Sequence, residues 1–349
     1  MPDTVPIDFL LRFFSDQCDS LGSPFYAALL VDLADDFEAG GPTATVLTPH
    51  AWRPGGDAVP LRLLGGVHRL VLEGAAPELA VHFPSVGGNG DAAATWPVLR
   101  DFLATRSAEL DGPLSRPPQT NEVGRSVGLV GGMLVVAAET GLPLRLLELG
   151  SSAALNLRLD RYWYEAAGTG FGDPASGVRF VDRYAVGVPP LGAELRVAER
   201  RGCDRDPIDA ATDDGRLTLL SYVWPDQTAR LEVLRAALDV ARDFPVAVDR
   251  DDITRWLGAQ LREPVEGVAT VVFHSIVWQY LDDAERAEVV GTFAEAGARA
   301  SAGAPLAWLR LEGTPDLHHA EVRLTTWPGG EERLLATTGF HGGAVEWLA

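Results

Sequence analysis

Apolar positions recur at helical spacing through the first third of the chain. Ile7, Leu10, Leu11, Phe13 and Phe14 share one face of a predicted helix. Ser23-Pro24 reads as an N-cap with proline at the first helical position. Phe25, Leu29, Leu30 and Leu33 follow it, and Gly40-Gly41-Pro42 closes the segment. Leu61, Leu64, Val67, His68, Val71 and Leu72 make another amphipathic stripe. Glu78 to Val81 adds a turn, and Trp96, Leu99, Phe102 and Leu103 a further helix. Arg53-Pro54-Gly55-Gly56 and Pro84 to Asp91 read as loops. No strand alternation interrupts this pattern. Residues 1–118 are therefore expected to form a helical cap domain, in which His68 and His82 are satisfied buried or interface histidines.

The pattern changes from residue 119. A very apolar helix over Val127 to Ala138 leads through Gly141-Leu142-Pro143 into Leu144–Leu149, a short buried strand. A turn of small residues, Gly150 to Ala153, and a helix from Leu155 come next. Asp160 to Glu165 is aromatic and strand-like. It is expected to pair with Val178 to Val186 as a hairpin inserted near residues 160–187. Strands at Leu195 to Cys203, Val246 to Val248, Ala269 to Phe273 and Pro305 to Leu311 then alternate with helical segments. Glu321 to Trp327 and Arg333 to Thr338 flank Pro328-Gly329-Gly330 as a last hairpin. Alternating strand and helix predicts an α/β fold for residues 119–349: a doubly wound, mostly parallel, Rossmann-like sheet ending in an antiparallel hairpin.

Candidate chemistry sits at the carboxyl ends of these strands, where open α/β sheets bind ligands. Glu148 ends the first strand, and Gly150, Ser151 and Ser152 form the turn after it. Asp204 ends the next strand. A carboxylate there has acceptor oxygens for two ribose hydroxyls. Asp251 and Asp252 follow the short strand at Val246 to Val248, and His274-Ser275 follow Ala269 to Phe273, with Trp278 and Tyr280 just beyond. Ahead of the apolar helix, Gln119-Thr120-Asn121-Glu122-Val123-Gly124-Arg125 packs more hydrogen-bonding side chains than one N-cap needs.

The net charge of −20 argues against a nucleic-acid partner. All 29 basic residues are arginine, which excludes P-loop and Schiff-base lysine chemistry. Cys18 and Cys203 stand far apart with no paired spacing, so neither a zinc ribbon nor a disulfide framework is expected, and the two fit a reducing cytoplasm. His318-His319 would diverge on a strand, and no metal site is expected. The N-terminal residues lack a basic signal-peptide region, and the apolar run at 127–138 is too short to span a bilayer, so no membrane partner is expected.

Four motifs in order carry a resemblance: Gln119 to Arg125, Leu146 to Leu157, Tyr222-Val223-Trp224-Pro225-Asp226-Gln227, and Val271 to Leu281. Over nearly its whole length the chain resembles a bacterial family, the domain of unknown function numbered 2332. Its C-terminal part also resembles class I S-adenosylmethionine-dependent methyltransferases, in which an acid and Gly-x-Gly-x-Gly follow the first strand. Glu148 and Gly150 match, while Ser152 and Ala154 replace the second and third glycines.

This resemblance implies a methyltransferase with S-adenosylmethionine as cofactor and a small-molecule acceptor. Glu148, Gly150, Ser151, Ser152, Asn156 and Asn121 would contact the cofactor, Asp204 its ribose, and Asp251 or Asp252 its adenine. His274, with Glu122 second, would serve as base. Thr120, Arg125, Ser275, Trp278 and Tyr280 would line the acceptor pocket. The alternatives are a methyltransferase-like protein that binds without catalysis and a nicotinamide-dependent oxidoreductase, the latter disfavoured because a diphosphate wants the full three-glycine turn.

Overall fold

The computed structural model describes residues 5–53, 57–116, 118–315 and 318–349. The expected loop at Pro54 to Gly56 and the proline at 117 lie outside these. The chain forms two compact units, residues 1–120 with 212–232 and residues 121–211 with 233–349.

The first unit is helical. It contains α1 (Ile7–Ser20), α2 (Pro24–Glu38), α3 (Pro42–Leu47), α4 (Val59–Leu72), α5 (Pro77–Ala80), α6 (Ala92–Arg106) and α7 (Asp111–Ser115). Ser23 caps α2 by accepting the Tyr26 N–H, as its sequence predicts. Leu10, Leu11, Leu29, Leu30, Leu33, Leu63 and Leu64 are core residues from three of these helices. The unit also takes residues 212–232, which the sequence pattern had grouped with the sheet. Asp226 explains why: its carboxylate accepts Ser23 Oγ at 2.6 Å and the Phe25 N–H at 3.0 Å at the start of α2. His68 is fully buried, with Nδ1 3.1 Å from the Ser221 carbonyl and Nε2 2.8 Å from Ser85 Oγ.

The second unit begins with α8 (Ser126–Thr140) and β1 (Leu144–Leu149). It continues through β2 (Trp163–Ala166), β3 (Thr169–Gly172), β4 (Arg179–Val181), β5 (Tyr184–Val186) and β6 (Val197–Asp204). The chain then gives α9 (Asp213–Ser221) to the helical unit and returns through α10 (Thr228–Asp243). There follow β7 (Val248–Arg250), α11 (Ile253–Gln260), β8 (Ala269–Ser275), α12 (Asp283–Gly297), β9 (Leu306–Gly313), β10 (Ala320–Trp327), β11 (Glu331–Thr338) and β12 (Val345–Trp347).

These strands make an α/β unit with a nine-stranded, mostly parallel sheet in the order β5-β12-β11-β10-β9-β8-β1-β6-β7. Strands β7, β6, β1, β8 and β9 are parallel neighbours, and β10, β11 and β12 follow as an antiparallel meander. Strand order reverses at β1, whose neighbours are β6 and β8. That makes the β1 carboxyl end the switch point of the sheet.

The stretch Val123–Thr140, apolar and long enough to cross a membrane by composition, is mostly buried against the sheet. Its glycines allow the close approach: a Cβ on Gly132 would lie 2.4 Å from Leu309 Cδ1, and one on Gly131 2.5 Å from the Trp347 ring.

Two local expectations are corrected. The helix expected from Leu155 is only a 3-10 segment, Asn156–Arg161. Side chains compete for the backbone carbonyls that would continue an α-helix, and the Leu155 carbonyl takes the Arg158 N–H at 3.1 Å in a 3-10 bond instead. Arg158 Nη1 donates to the Ala154 carbonyl at 2.7 Å, and the Tyr162 hydroxyl donates to that of Leu155 at 2.6 Å. The insertion is also not one long hairpin. β2 turns back into β3 through Ala167-Gly168, both with left-handed φ, which is the tight hairpin turn. β4 joins β2 in parallel, and β5 leaves to pair with β12 at the edge of the large sheet.

Candidate functional site

The carboxyl end of β1 gathers most of the sequence-predicted residues of this unit. The turn after it has left-handed φ at Gly150 (63°), Ser152 (49°) and Ala154 (56°). L-residues avoid this region at a cost of about 1–2 kcal/mol each. The surroundings hold the turn in place. Ser151 N–H donates to the Cys203 carbonyl at 3.0 Å, Ser152 N–H to Asp204 Oδ2 at 2.8 Å, and Leu155 N–H to Asn121 Oδ1 at 2.8 Å. Asp204 accepts the Asp206 N–H on its other oxygen, also at 2.8 Å. Asn121 and Asp204 are thus both joined to the β1 turn.

Glu148 is 2% exposed, and its Oε2 has no hydrogen-bond partner among the described residues. Burial pushes its pKa well above the usual carboxylate value, against the pull of Arg158 and with some help from Asp204. Asn156 is fully buried. Its Nδ2 donates to the Glu122 carbonyl at 3.3 Å, and its Oδ1 has no partner among the described residues. Glu122 is half-buried and accepts the Gly124 N–H at 3.1 Å. Arg125 donates to the carbonyls of Phe340 at 2.8 Å and Ser275 at 3.2 Å, tying the start of α8 to the end of β8.

His274 is enclosed by the protein. It is 1% exposed, and both ring nitrogens are spent within the protein. Nδ1 lies 2.6 Å from Glu312 Oε1, while Nε2 receives the indole N–H of Trp308 at 3.1 Å. Indole only donates, so Nε2 must be an acceptor and the ring proton sits on Nδ1. The expectation of His274 as base is therefore corrected to a structural role. Glu312, at the carboxyl end of β9, also accepts the Val277 N–H at 3.0 Å and the Trp278 N–H at 3.3 Å. It thereby pins the loop in which Ile276, a β-branched residue, holds a left-handed φ of 54°.

Trp278 stacks on His274 at 5.8 Å and belongs to an aromatic cluster with Trp308 and Phe293. Tyr280 is 66% exposed. Asp252 is the N-cap of α11 and pairs with Arg205, which holds its carboxyl down at about 2. Asp251 Oδ1 accepts the Asp252 N–H and pairs with Arg255. Thr120 is exposed and belongs to the first unit.

Two side chains that brace this region, Glu312 and Arg158, are not among the residues singled out from the sequence. Glu312 carried one signal, an acid at the carboxyl end of a strand. Arg158 carried none, since its burial follows from the loss of the helix expected there.

The model of the family described as an uncharacterised protein conserved in bacteria, the domain of unknown function 2332, matches residues 9–347, and the chain belongs to that family. No curated protein and no solved structure matches the chain.

Proposed function

We propose that this family member is an S-adenosylmethionine-dependent methyltransferase acting on a small-molecule acceptor. One observation carries the reading. The glycine positions of the methyltransferase turn fall on 150, 152 and 154, and all three are left-handed here although two carry a Cβ. The backbone shape that glycine normally supplies is thus retained by Ser152 and Ala154.

The residues present fit the cofactor. Each Asp204 oxygen accepts one N–H, and a carboxylate has about four lone-pair sites, so both oxygens keep capacity for ribose hydroxyls. Glu148 Oε2 and Asn156 Oδ1 are buried polar atoms short of partners. Asp252 is consumed by its cap and ion pair, which leaves the adenine-side role to Asp251. When bound, the cofactor supplies an electrophilic methyl group on a sulfonium. The chain's own part is to hold the nucleoside at Asp204, keep the β1 turn rigid through Asn121, and accept a proton from the acceptor. With His274 spent, that last role falls to Glu122.

A second reading, a methyltransferase-like protein that binds without catalysis, draws on Val277. Its Cγ2 lies 2.7 Å from where a Cβ on Gly150 would stand, so the turn is closely covered.

Calorimetric titration with S-adenosylmethionine and S-adenosylhomocysteine tests the proposal. Saturable heat is expected, with Asp204→Asn weakening it at least about tenfold, or 1.4 kcal/mol. No heat at about 1 mM ligand rejects cofactor binding. Binding without methyl transfer to any acceptor supports the second reading.

A further inference from the structure

A cavity of about 330 Å³ lies in the sheet unit, beside the β1 turn and along β6 and β7. It occupies the face on which a full helix after β1 would pack. Val248 is the register partner of Gly202, and a Cβ on Gly202 would meet Ser151 and Leu157 on that face. Ile208, Val246, Val248 and Ala241 give the cavity apolar walls, while Asp209 and Arg242 stand at its exposed rim.

Arg158 lines this cavity while being 4% exposed. A guanidinium has five N–H donors. Nε donates to the Phe244 carbonyl at 2.7 Å, and Nη1 to the carbonyls of Ala153 at 3.2 Å and Ala154 at 2.7 Å. Nη2 makes no hydrogen bond, and Arg158 forms no salt bridge among the described residues. A buried cation without an anion is costly, and such groups are usually paired. Glu148 interacts with Arg158 electrostatically, but burial disfavours its ionised form.

We infer that this cavity binds a small organic carboxylate with an apolar body, its carboxylate on Arg158 Nη2 and its body against Ile208, Val246 and Val248. Inorganic phosphate suits the site less, because only one nitrogen of the buried Arg158 guanidinium is free, while Arg242 stands at the exposed rim beside Asp209 and is already paired with Asp239 and Asp243. The inference does not rest on the methyltransferase reading, since the cavity walls include none of Asn121, Glu122, Glu148 or Asp204.

The probe is 4-fluorobenzoate, followed by fluorine NMR on the full chain with 4-fluorobenzamide and inorganic phosphate as comparators. Saturable broadening by the benzoate is expected in the low millimolar range, with the amide at least about tenfold weaker. Phosphate at equal concentration should not displace it. Arg158→Gln should abolish the response. Because Arg158 also holds the β1 turn, Val246→Trp is the second variant: it fills the cavity from a half-buried position before β7 and should abolish binding in a folded protein. No saturation to about 20 mM, equal binding of the amide, displacement by phosphate, or undiminished binding to Val246→Trp would each overturn the inference.

Discussion

The reassignment of His274 predicts a large stability loss at Glu312. The Glu312 carboxylate accepts His274 Nδ1–H at 2.6 Å, the Val277 N–H at 3.0 Å and the Trp278 N–H at 3.3 Å. Glu312→Ala removes all three acceptors. A buried donor left unsatisfied costs about 1–3 kcal/mol. His274 and Val277 are buried, so both donors are stranded, whereas Trp278 is partly exposed and its N–H is set at zero because water reaches the residue. The expected loss is about 4 kcal/mol. Glu312→Gln keeps an oxygen for His274 and Val277 and turns an amide towards the Trp278 N–H, so about 1–2 kcal/mol is expected. Since the chain has two compact units, the readout should belong to the sheet unit alone. Native-state hydrogen exchange of the β8 amides, Ala269 to Ser275, provides it. A loss below about 1 kcal/mol for Glu312→Ala, or equal losses for Ala and Gln, would refute the hydrogen-bond account.

Two further outcomes are expected from the β1 turn. Ala154→Gly should be nearly neutral: relief of a left-handed alanine gains about 1–2 kcal/mol, offset by a lost buried methyl (about 0.8) and by glycine's chain entropy (about 0.5–1). Ala154→Val should lose more than about 2 kcal/mol because a β-branched residue tolerates that φ poorly, and urea unfolding showing equal effects would contradict the strain argument. Glu148 sets a pH dependence. Its folded pKa lies above the ordinary 4.5, so its stabilising contribution is complete below that value and is lost as pH rises towards the folded pKa. Glu148→Gln should remove this decline, so the urea midpoint of the variant gains on wild type between pH 4 and 8; parallel profiles would refute the assignment.

The alternation of strands and helices was legible because buried parallel strands leave unbroken apolar runs. Leu144 to Leu149 and Ala269 to Phe273 fall in β1 and β8 as the pattern indicates. Long-range partnerships left no such trace. The β2–β3 hairpin turns on Ala167-Gly168 rather than the Asn-Gly that announces this turn in a sequence, and β3 itself is Thr-Gly-Phe-Gly, which reads as a loop. Tyr164, stacked on Phe171 at 5.0 Å and Phe180 at 5.6 Å, holds the small sheet together through contacts that spacing does not encode. At the candidate site the residue types were legible but their obligations were not. A histidine at a strand end has the sequence signature of a base whether its nitrogens are free or spent, and the Trp308 indole that decides the matter lies 34 positions away.

The replacement of a helix by a 3-10 segment links these failures. A regular helix after β1 would satisfy its own carbonyls and leave Arg158 free to reach solvent. Here the carbonyls of Ala153 and Ala154 are held by Arg158, and that of Leu155 by Tyr162. The same bonds fix the left-handed turn at 150–154 and keep a cation inside the protein beside a cavity of mixed apolar and polar lining. Strain in the turn and the buried charge therefore have one structural origin. An account of the turn as a degraded glycine loop explains the first and not the second. A built site, in which the guanidinium both braces the turn and offers its last nitrogen to a ligand, explains both.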